Sequence, residues 1–197
     1  MNLPAGYVWP AERVRAWTTA LDAFAAAGGA AVAATAERDL QAGTADALTG
    51  SFADWVIVDL APGGPGSRSV AGRRHEPDLA AAVANLPVHS CPLIASAMTQ
   101  RTPLVQASMA DPAELGILPD GRRVVEALGA GSYAVGPVSV DDESVGAITI
   151  VRRRTQPHVT FLELSVLAHV ADLAAAAIER LNGPGRPRGD RRWRHHR

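Results

Sequence analysis

A stripe of apolar residues at three- and four-residue steps predicts a helix that opens near Pro10. The stripe consists of Val14, Trp17, Leu21 and Phe24. Gly28 and Gly29 are expected to weaken or kink this helix, because glycine has a low helix propensity. A second, shorter helix is expected over residues 39–48, with Asp39 as its N-cap.

The hydrophobic pattern then changes to that of strands. Residues 54–60 (DWVIVDL) are rich in β-branched and aromatic side chains, which predicts a strand buried on both faces. The turn at 62–66 (PGGPG) and the stretch 67–73 predict a hairpin. Two more strands are expected over 132–138 and 144–151. Their connection is too short for a crossover, so they must pair antiparallel.

Short helices are predicted between the two hairpins. Residues 77–86 and 92–100 each have proline in the first turn, which favours a helix start. A brief strand is expected over 104–106. Asp111 and Asp120 are each placed to begin a further helix.

The last predicted element is a long helix that begins with a capping box. Thr160 and Glu163 have the spacing of this motif, and the helix is expected to run to about Leu181. Its apolar arc is broad, so it should be packed for most of its length. The arc consists of Leu162, Val166, Val170, Leu173 and Ala177. The order of helices and strands predicts an α+β fold.

Composition and charge narrow the functional classes. The chain has 197 residues, with 19 basic and 20 acidic side chains and a net charge of −1. Residues 183–197 hold six arginines and one aspartate, so the rest of the chain is acidic. An acidic body does not suit nucleic-acid binding, which leaves only the tail to contact a polyanion. We expect residues 1–11 to be a lead, 12–182 a domain, and 183–197 a disordered tail.

The sequence also predicts a cytoplasmic protein without a membrane span. We expect no apolar run to be long enough to span a membrane, and the best candidate is residues 21–36. Residues 1–10 contain neither the basic region nor the apolar region of a secretory signal. The single cysteine, Cys91, excludes an internal disulfide framework.

Four stretches and one aromatic residue resemble the GAF domain, a small-molecule-sensing fold of bacterial signalling proteins. The resemblance covers residues 12–181 and is nearest to modules of actinobacterial sensor kinases, phosphatases and antiterminators. The stretches are 53–60 (ADWVIVDL), 90–105 (SCPLIASAMTQRTPLV), 127–138 (ALGAGSYAVGPV) and 144–151 (SVGAITIV), with Phe161 leading into the final helix.

This resemblance implies a central antiparallel sheet of five to six strands with helices on both sides. It implies a cleft on one sheet face, and first and last helices that pair between protomers. The apolar stripe on the first helix independently supports such a homodimer, since one sheet face does not need so much apolar surface.

Several activities of the family require sequence features that this chain lacks. The helix over 121–128 (GRRVVEAL) has no cysteine to attach a bilin. The chain has no lysine, which the cyclic-nucleotide signature requires. Reduction of free methionine sulfoxide needs a nucleophilic and a resolving cysteine, and Cys91 stands alone. Haem ligation by histidine stays open, and no cofactor is assigned.

Strand position and the resemblance together predict the walls of the cleft. Alternation places Trp55, Ile57 and Asp59 on one face of their strand. An acidic group beside aromatic carbon suits a ligand cleft, although Asp59 is as well placed to cap the following turn. The predicted ligand-binding residues are Trp55, Ile57, Asp59, Arg73, His75, Cys91, Met98, Tyr133 and Val135.

Cys91 allows two chemical interpretations and a structural one. With His75 and His89 it could supply three metal ligands, although no fourth is evident. Its place before a proline-started helix predicts a lowered pKa and thiolate chemistry. A buried, inert cysteine is the more common case.

Three functions follow from these observations. The first is a freestanding, non-catalytic regulatory module that binds a small molecule or a signalling partner protein and dimerises through its terminal helices. The second is an enzyme or biosynthetic accessory protein that uses His75, His89 and Cys91. The third is a scaffold whose cleft is filled by its own side chains.

Overall fold

A computed structural model describes residues 10–60, 68–72, 76–106 and 114–183. The predicted lead and tail lie almost wholly outside these ranges. So do the predicted turn at 62–66, Arg73, His75 and the helix start at Asp111.

The centre of the fold is one antiparallel sheet of five strands in the order β2-β1-β5-β4-β3. This architecture confirms the predicted α+β class. The strands are β1 (Trp55–Leu60), β2 (Arg68–Gly72), β3 (Leu104–Gln106), β4 (Ala130–Val140) and β5 (Glu143–Arg153).

Helices cover both faces of this sheet. Three of them pack on one side, and the three shorter ones belong to the other side. The first group is α1 (Ala11–Ala33), α2 (Glu37–Leu48) and α6 (Phe161–Asn182). The second group is α3 (Pro77–Ala84), α4 (Pro92–Gln100) and α5 (Val124–Ala127), with a short 3-10 turn at Val88–Ser90.

Alternation along β1 divides the interior into two cores. All six residues of β1 are buried, as predicted for a strand covered on both faces. Val56, Val58 and Leu60 join the core under α1, α2 and α6, which we call the α6 face. Trp55 and Ile57 join the core under α3, α4 and α5, which we call the α4 face.

The helices α1 and α6 lie side by side and run in the same direction. The ring of Phe24 meets that of His169 edge-on at 6.5 Å between centroids. Near the other end of the pair, Arg180 Nη2 donates to the carbonyl oxygens of Ala31 and Ala34, each at 2.9 Å. The helix α1 is not interrupted at Gly28 and Gly29, where a weakening or a kink was expected, and it continues to Ala33.

The predicted capping box of α6 is confirmed. The Glu163 carboxylate accepts from the Thr160 backbone N–H at 2.7 Å, and Thr160 Oγ1 accepts from the Glu163 N–H at 3.4 Å. The buried stripe of α6 is rotated from the predicted one, because β4 meets it near Leu167. The buried residues are Leu167, Val170, Ala171, Ala174, Ala175, Ala177 and Ile178.

Two predicted helix starts are wrong. Asp39 lies inside the first turn of α2, where its carboxylate accepts from the backbone N–H of Ala36 at 3.0 Å. Asp120 does not begin a helix, since its carboxylate accepts from the backbone N–H of Arg122 at 3.0 Å and so caps a turn. The helix that follows is only Val124–Ala127.

One helix in the described ranges, α6, is long and apolar enough to cross a membrane by length and composition. The expectation that no run reaches spanning length is therefore wrong. In this fold α6 packs against β4 and α1, and the core helix of a soluble protein passes the same test.

Candidate functional site

Three rows of cross-strand neighbours form the floor of the α4 face. The strand register aligns them across β2, β1, β5 and β4. The first row is Gly72, Trp55, Val151 and Tyr133. The second is Val70, Ile57, Thr149 and Val135, and the third is Arg68, Asp59 and Ala147. This floor is mostly apolar, with a few polar groups set into it.

Most of the predicted site residues come together on this floor and under the helices that cover it. Six of them share one buried cluster, and none of these six residues is more than 4% exposed. They are Trp55, Ile57, Cys91, Met98, Tyr133 and Val135. Asp59 lies on the same face of β1. Arg73 and His75 fall outside the described residues. Ligand contact by this set stays a prediction.

Asp59 forms a buried ion pair with Arg68. Arg68 Nε donates to Asp59 Oδ1 at 2.6 Å, and Arg68 Nη2 donates to Oδ2 at 3.2 Å. Both side chains are 2% exposed. Two parallel hydrogen bonds of this kind are the strongest arrangement of a guanidinium and a carboxylate. Asp59 was predicted either to line the cleft or to cap the following turn. Its ion pair with Arg68 is neither of these roles.

Arg68 also joins the strands to the helical layer above them. Its Nη1 donates to the carbonyl oxygen of Val83 at 3.3 Å, and its Nη1 and Nη2 lie 3.7 and 3.6 Å from Cys91 Sγ. Every guanidinium nitrogen therefore has a partner. The sequence analysis missed this residue.

Burial decides the protonation behaviour of this cluster. Loss of solvation raises the pKa of the Asp59 carboxyl, and the attraction of Arg68 offsets that only in part. For Arg68 burial acts to lower the pKa, but the neighbouring Asp59 outweighs it, so the pKa is raised and the guanidinium stays charged.

Cys91 is a buried thiol rather than an activated thiolate. Its Sγ donates to the carbonyl oxygen of Leu115 at 3.2 Å. Burial raises the pKa of the thiol, although Arg68 partly opposes this. The lowered pKa expected from the helix start is therefore wrong. His89 is exposed while Cys91 is not, and no cluster of metal-ligating side chains occurs within the described ranges.

We expect Cys91 to react slowly with thiol reagents in the folded protein. A buried thiol with a raised pKa supplies little thiolate at neutral pH. The rate of carbamidomethylation, followed by mass spectrometry, should rise by about 100-fold or more when urea unfolds the chain. Equal rates in the folded and unfolded states would contradict the buried position of Sγ.

Two aromatic residues of the floor are fixed by different neighbours. The Trp55 ring lies over Gly72, where an added Cβ would come within 2.5 Å of Cζ3. Arg153 stacks over the same ring at 5.8 Å and pairs with Glu76 at 2.7 Å. The Tyr133 hydroxyl donates to the Glu114 carboxylate.

Two polar atoms of the floor have no hydrogen-bond partner within the described part of the chain. They are the indole Nε1 of Trp55 and the hydroxyl Oγ1 of Thr149, and both residues are fully buried. A buried polar group without a partner costs about 1–3 kcal/mol. Such groups are rare in folded proteins, where a protein group, an ordered water or a ligand satisfies most of them. Thr149 was not among the predicted site residues.

We expect Thr149→Val to raise the free energy of unfolding by about 1 kcal/mol, because it replaces an unpartnered buried hydroxyl with a methyl group of the same shape. Urea denaturation of the ligand-free protein measures this. The matched control is Ser132→Ala on β4, whose hydroxyl accepts from the Val159 N–H at 2.9 Å. This control should lower stability by about 1 kcal/mol. A loss of stability in both variants would show that Thr149 has a partner.

Solved structures share this fold at low sequence identity. One is residues 122 to 287 of a methyl-accepting chemotaxis protein, with 18% identity and a TM-score of 0.59 over 79% of this chain and 96% of that chain. Another is the GAF domain of the Acinetobacter phosphoenolpyruvate-protein phosphotransferase, with 12% identity and a TM-score of 0.60 over 84% of this chain and 96% of that one.

A third is the free methionine-R-sulfoxide reductase of Neisseria meningitidis in complex with its substrate, at 14% identity and a TM-score of 0.59 over 91% and 97% of the two chains. At such identities the likeness concerns the fold alone. No curated protein sequence matches this chain. The sequence profile of the GAF domain, however, matches residues 18–178. The chain therefore belongs to the GAF domain family.

Proposed function

We propose that this GAF domain is a non-catalytic regulatory module that binds a small molecule on the α4 face and forms a homodimer through α1 and α6. One observation carries the proposal: a mostly apolar, buried sheet face holds two polar atoms, on Trp55 and Thr149, that no described residue satisfies. A bound ligand would satisfy them. The solved neighbours include signalling proteins such as the chemotaxis protein, which is consistent with a regulatory role.

The exposed stripe on α1 supports the homodimer. Val14, Trp17, Leu21 and Phe24 are 50%, 49%, 59% and 37% exposed. Exposed apolar patches on a soluble domain mark surfaces that bind other proteins. Because these side chains follow the three- and four-residue spacing of a helical seam, a second copy of α1 is a suitable partner.

The sheet gives a route from the ligand face to the dimer helices. Successive side chains of β1 and β5 point to opposite faces, so a residue on the α4 face has sequence neighbours under the helices. Val56 lies beside Trp55 and packs in the core with α1, α2 and α6. A ligand that moves Trp55 or Thr149 would therefore shift the surface on which these helices rest. As part of the same proposal, the module works in the cytoplasm and passes its state to a signalling partner protein.

Two measurements on the purified full chain test the proposal. Light scattering should give a mass about twice the protomer mass of 20.5 kDa. A thermal-shift screen against small metabolites should find compounds that raise Tm, because ligands that bind only the folded state stabilise it. A strict monomer that no compound stabilises would contradict both parts.

A further inference from the structure

We propose that the ligand of the α4 face is a small, uncharged and largely apolar molecule that presents a hydrogen-bond acceptor, such as a carbonyl oxygen, to Trp55 and Thr149. This inference rests on the proposed function, because it describes the occupant of the same site. Three features of the face point to this class of ligand: two donors that lack partners, the apolar side chains next to them, and charged side chains that are paired with each other.

The indole of Trp55 requires an acceptor. An indole N–H only donates, so its partner must accept a hydrogen bond. The Cε3 and Cζ3 atoms of the ring lie against Gly72 on β2. Nε1 is on the opposite edge of an indole from these two atoms and is therefore turned away from Gly72.

Thr149 lies on β5, the strand that borders β1 on the side away from β2. It belongs to β5 in the row next to that of Trp55, opposite Ile57 on β1 and Val135 on β4. Diagonal neighbours on adjacent antiparallel strands are about 7–8 Å apart, which one small molecule can bridge. The Thr149 hydroxyl both donates and accepts, so it can share the ligand oxygen that Trp55 binds or contact an adjacent group.

The strand residues nearest to these two side chains are apolar. Ile57, Val135 and Val151 adjoin Trp55 and Thr149 in their two rows, and Ala147 adjoins Thr149 in the third row. None of the four is more than 1% exposed. A ligand polar all round would leave its other groups without partners against these side chains, at a cost similar to that of the orphaned protein atoms. The body of the ligand is therefore apolar.

The ligand is uncharged because the charged side chains that the structure describes around this face already have partners. Asp59 and Arg68 pair with each other through two hydrogen bonds. Glu114 accepts from Tyr133, and Arg153 pairs with Glu76. A charged ligand would be desolvated without a counter-ion, and an isolated buried charge is far more costly than an isolated buried dipole.

A set of ring compounds of similar shape tests this inference. The probes are cyclohexanone, methylenecyclohexane (in which carbon replaces the carbonyl oxygen), cyclohexanecarboxylate and cyclohexylammonium. Each is titrated into the isotope-labelled full chain, and the indole N–H resonance of Trp55 is followed by NMR. Cyclohexanone should move this resonance downfield, whereas the other three should bind at least about tenfold more weakly.

Two variants connect the binding to the named atoms. Thr149→Val should weaken cyclohexanone binding about fivefold, the effect of one lost hydrogen bond, and should leave methylenecyclohexane binding unchanged. The control Thr99→Val removes an exposed hydroxyl on α4 that donates to the Ala95 carbonyl oxygen, and should leave the binding of every probe unchanged. Equal cyclohexanone affinity in Thr149→Val and the wild type would overturn the inference.

The other outcomes separate this inference from the proposed function. If the carboxylate or the ammonium probe binds as tightly as cyclohexanone, the ligand class is wrong while a small-molecule module still stands. If no probe moves the Trp55 resonance, the ligand class is again wrong, and the metabolite screen alone decides on ligand binding. Stabilisation by charged metabolites only would overturn the inference as well.

Discussion

Replacing Arg68 with methionine is expected to lower the free energy of unfolding by about 3–5 kcal/mol, the usual cost of breaking a buried ion pair. The substitution leaves the Asp59 carboxylate buried without the guanidinium that donates two hydrogen bonds to it. Methionine fills much of the same space, so loss of the charge rather than a cavity dominates. Urea denaturation at about pH 7 measures the change.

Two further variants distinguish this cause from a general loss of packing. The double substitution Asp59→Leu with Arg68→Met removes both charges, and it should recover most of the lost stability, since apolar replacements of a buried pair are often neutral. Arg122→Met removes an ion pair of similar length, 2.7 Å, that is well exposed, and it should change stability little. A double variant no more stable than Arg68→Met would contradict the explanation.

The stability of Arg68→Met should recover partly on acidification. Burial raises the pKa of the Asp59 carboxyl in the folded state, and loss of Arg68 removes the effect that opposes this. A group with a raised folded-state pKa binds its proton more tightly in the folded chain, so stability falls as pH rises through that pKa. The difference in free energy of unfolding between Arg68→Met and the wild type should therefore be smaller at about pH 5 than at about pH 7.

The double substitution Trp17→Glu with Leu21→Glu is expected to convert the proposed dimer into a monomer. Trp17 and Leu21 are the central residues of the exposed stripe, and charges of one sign would face each other across a two-fold seam. Light scattering should show the mass fall by half. Circular dichroism should show an intact fold, because both side chains are about half exposed.

Ala26→Glu is the matched control for this experiment. Ala26 is exposed on α1 but lies away from the stripe, so its substitution adds the same kind of charge outside the proposed seam. It should leave the dimer intact. Dissociation by both variants would point to a general charge effect, and dissociation by neither would place the interface elsewhere.

The sequence predicts the sheet well because β1 and β5 carry unambiguous signals. Residues 54–60 alternate between two covered faces, and the structure confirms the assignment of Trp55 and Ile57 to one of them. The predicted helix over 92–100 and strand over 104–106 match the observed bounds of α4 and β3. The GAF resemblance is confirmed by the profile match over most of the chain.

The charged and polar part of the site was harder to predict. An arginine at the start of a strand is usually exposed, and Arg68 is therefore not among the predicted site residues. Pairing residues 54–60 with residues 67–73 across the predicted turn nevertheless places it directly opposite Asp59. Thr149 is one hydroxyl in an apolar strand, and only the packed structure shows that it lacks a partner. The predicted helix start at Asp120 is wrong because an aspartate carboxylate can accept a backbone N–H either at the N-cap of a helix or in a tight turn. Asp120 does so in a turn.

The common direction of α1 and α6 determines how this domain connects to anything attached to it. The chain enters at the Pro10 end of the helix pair and leaves at the Gly183 end, near Ala34. With a rise of 1.5 Å per residue, these points are separated by about 35 Å along the axis. The two termini of the described domain therefore lie at opposite ends of the helix pair, so a pull applied to both would load α1 and α6 along their length.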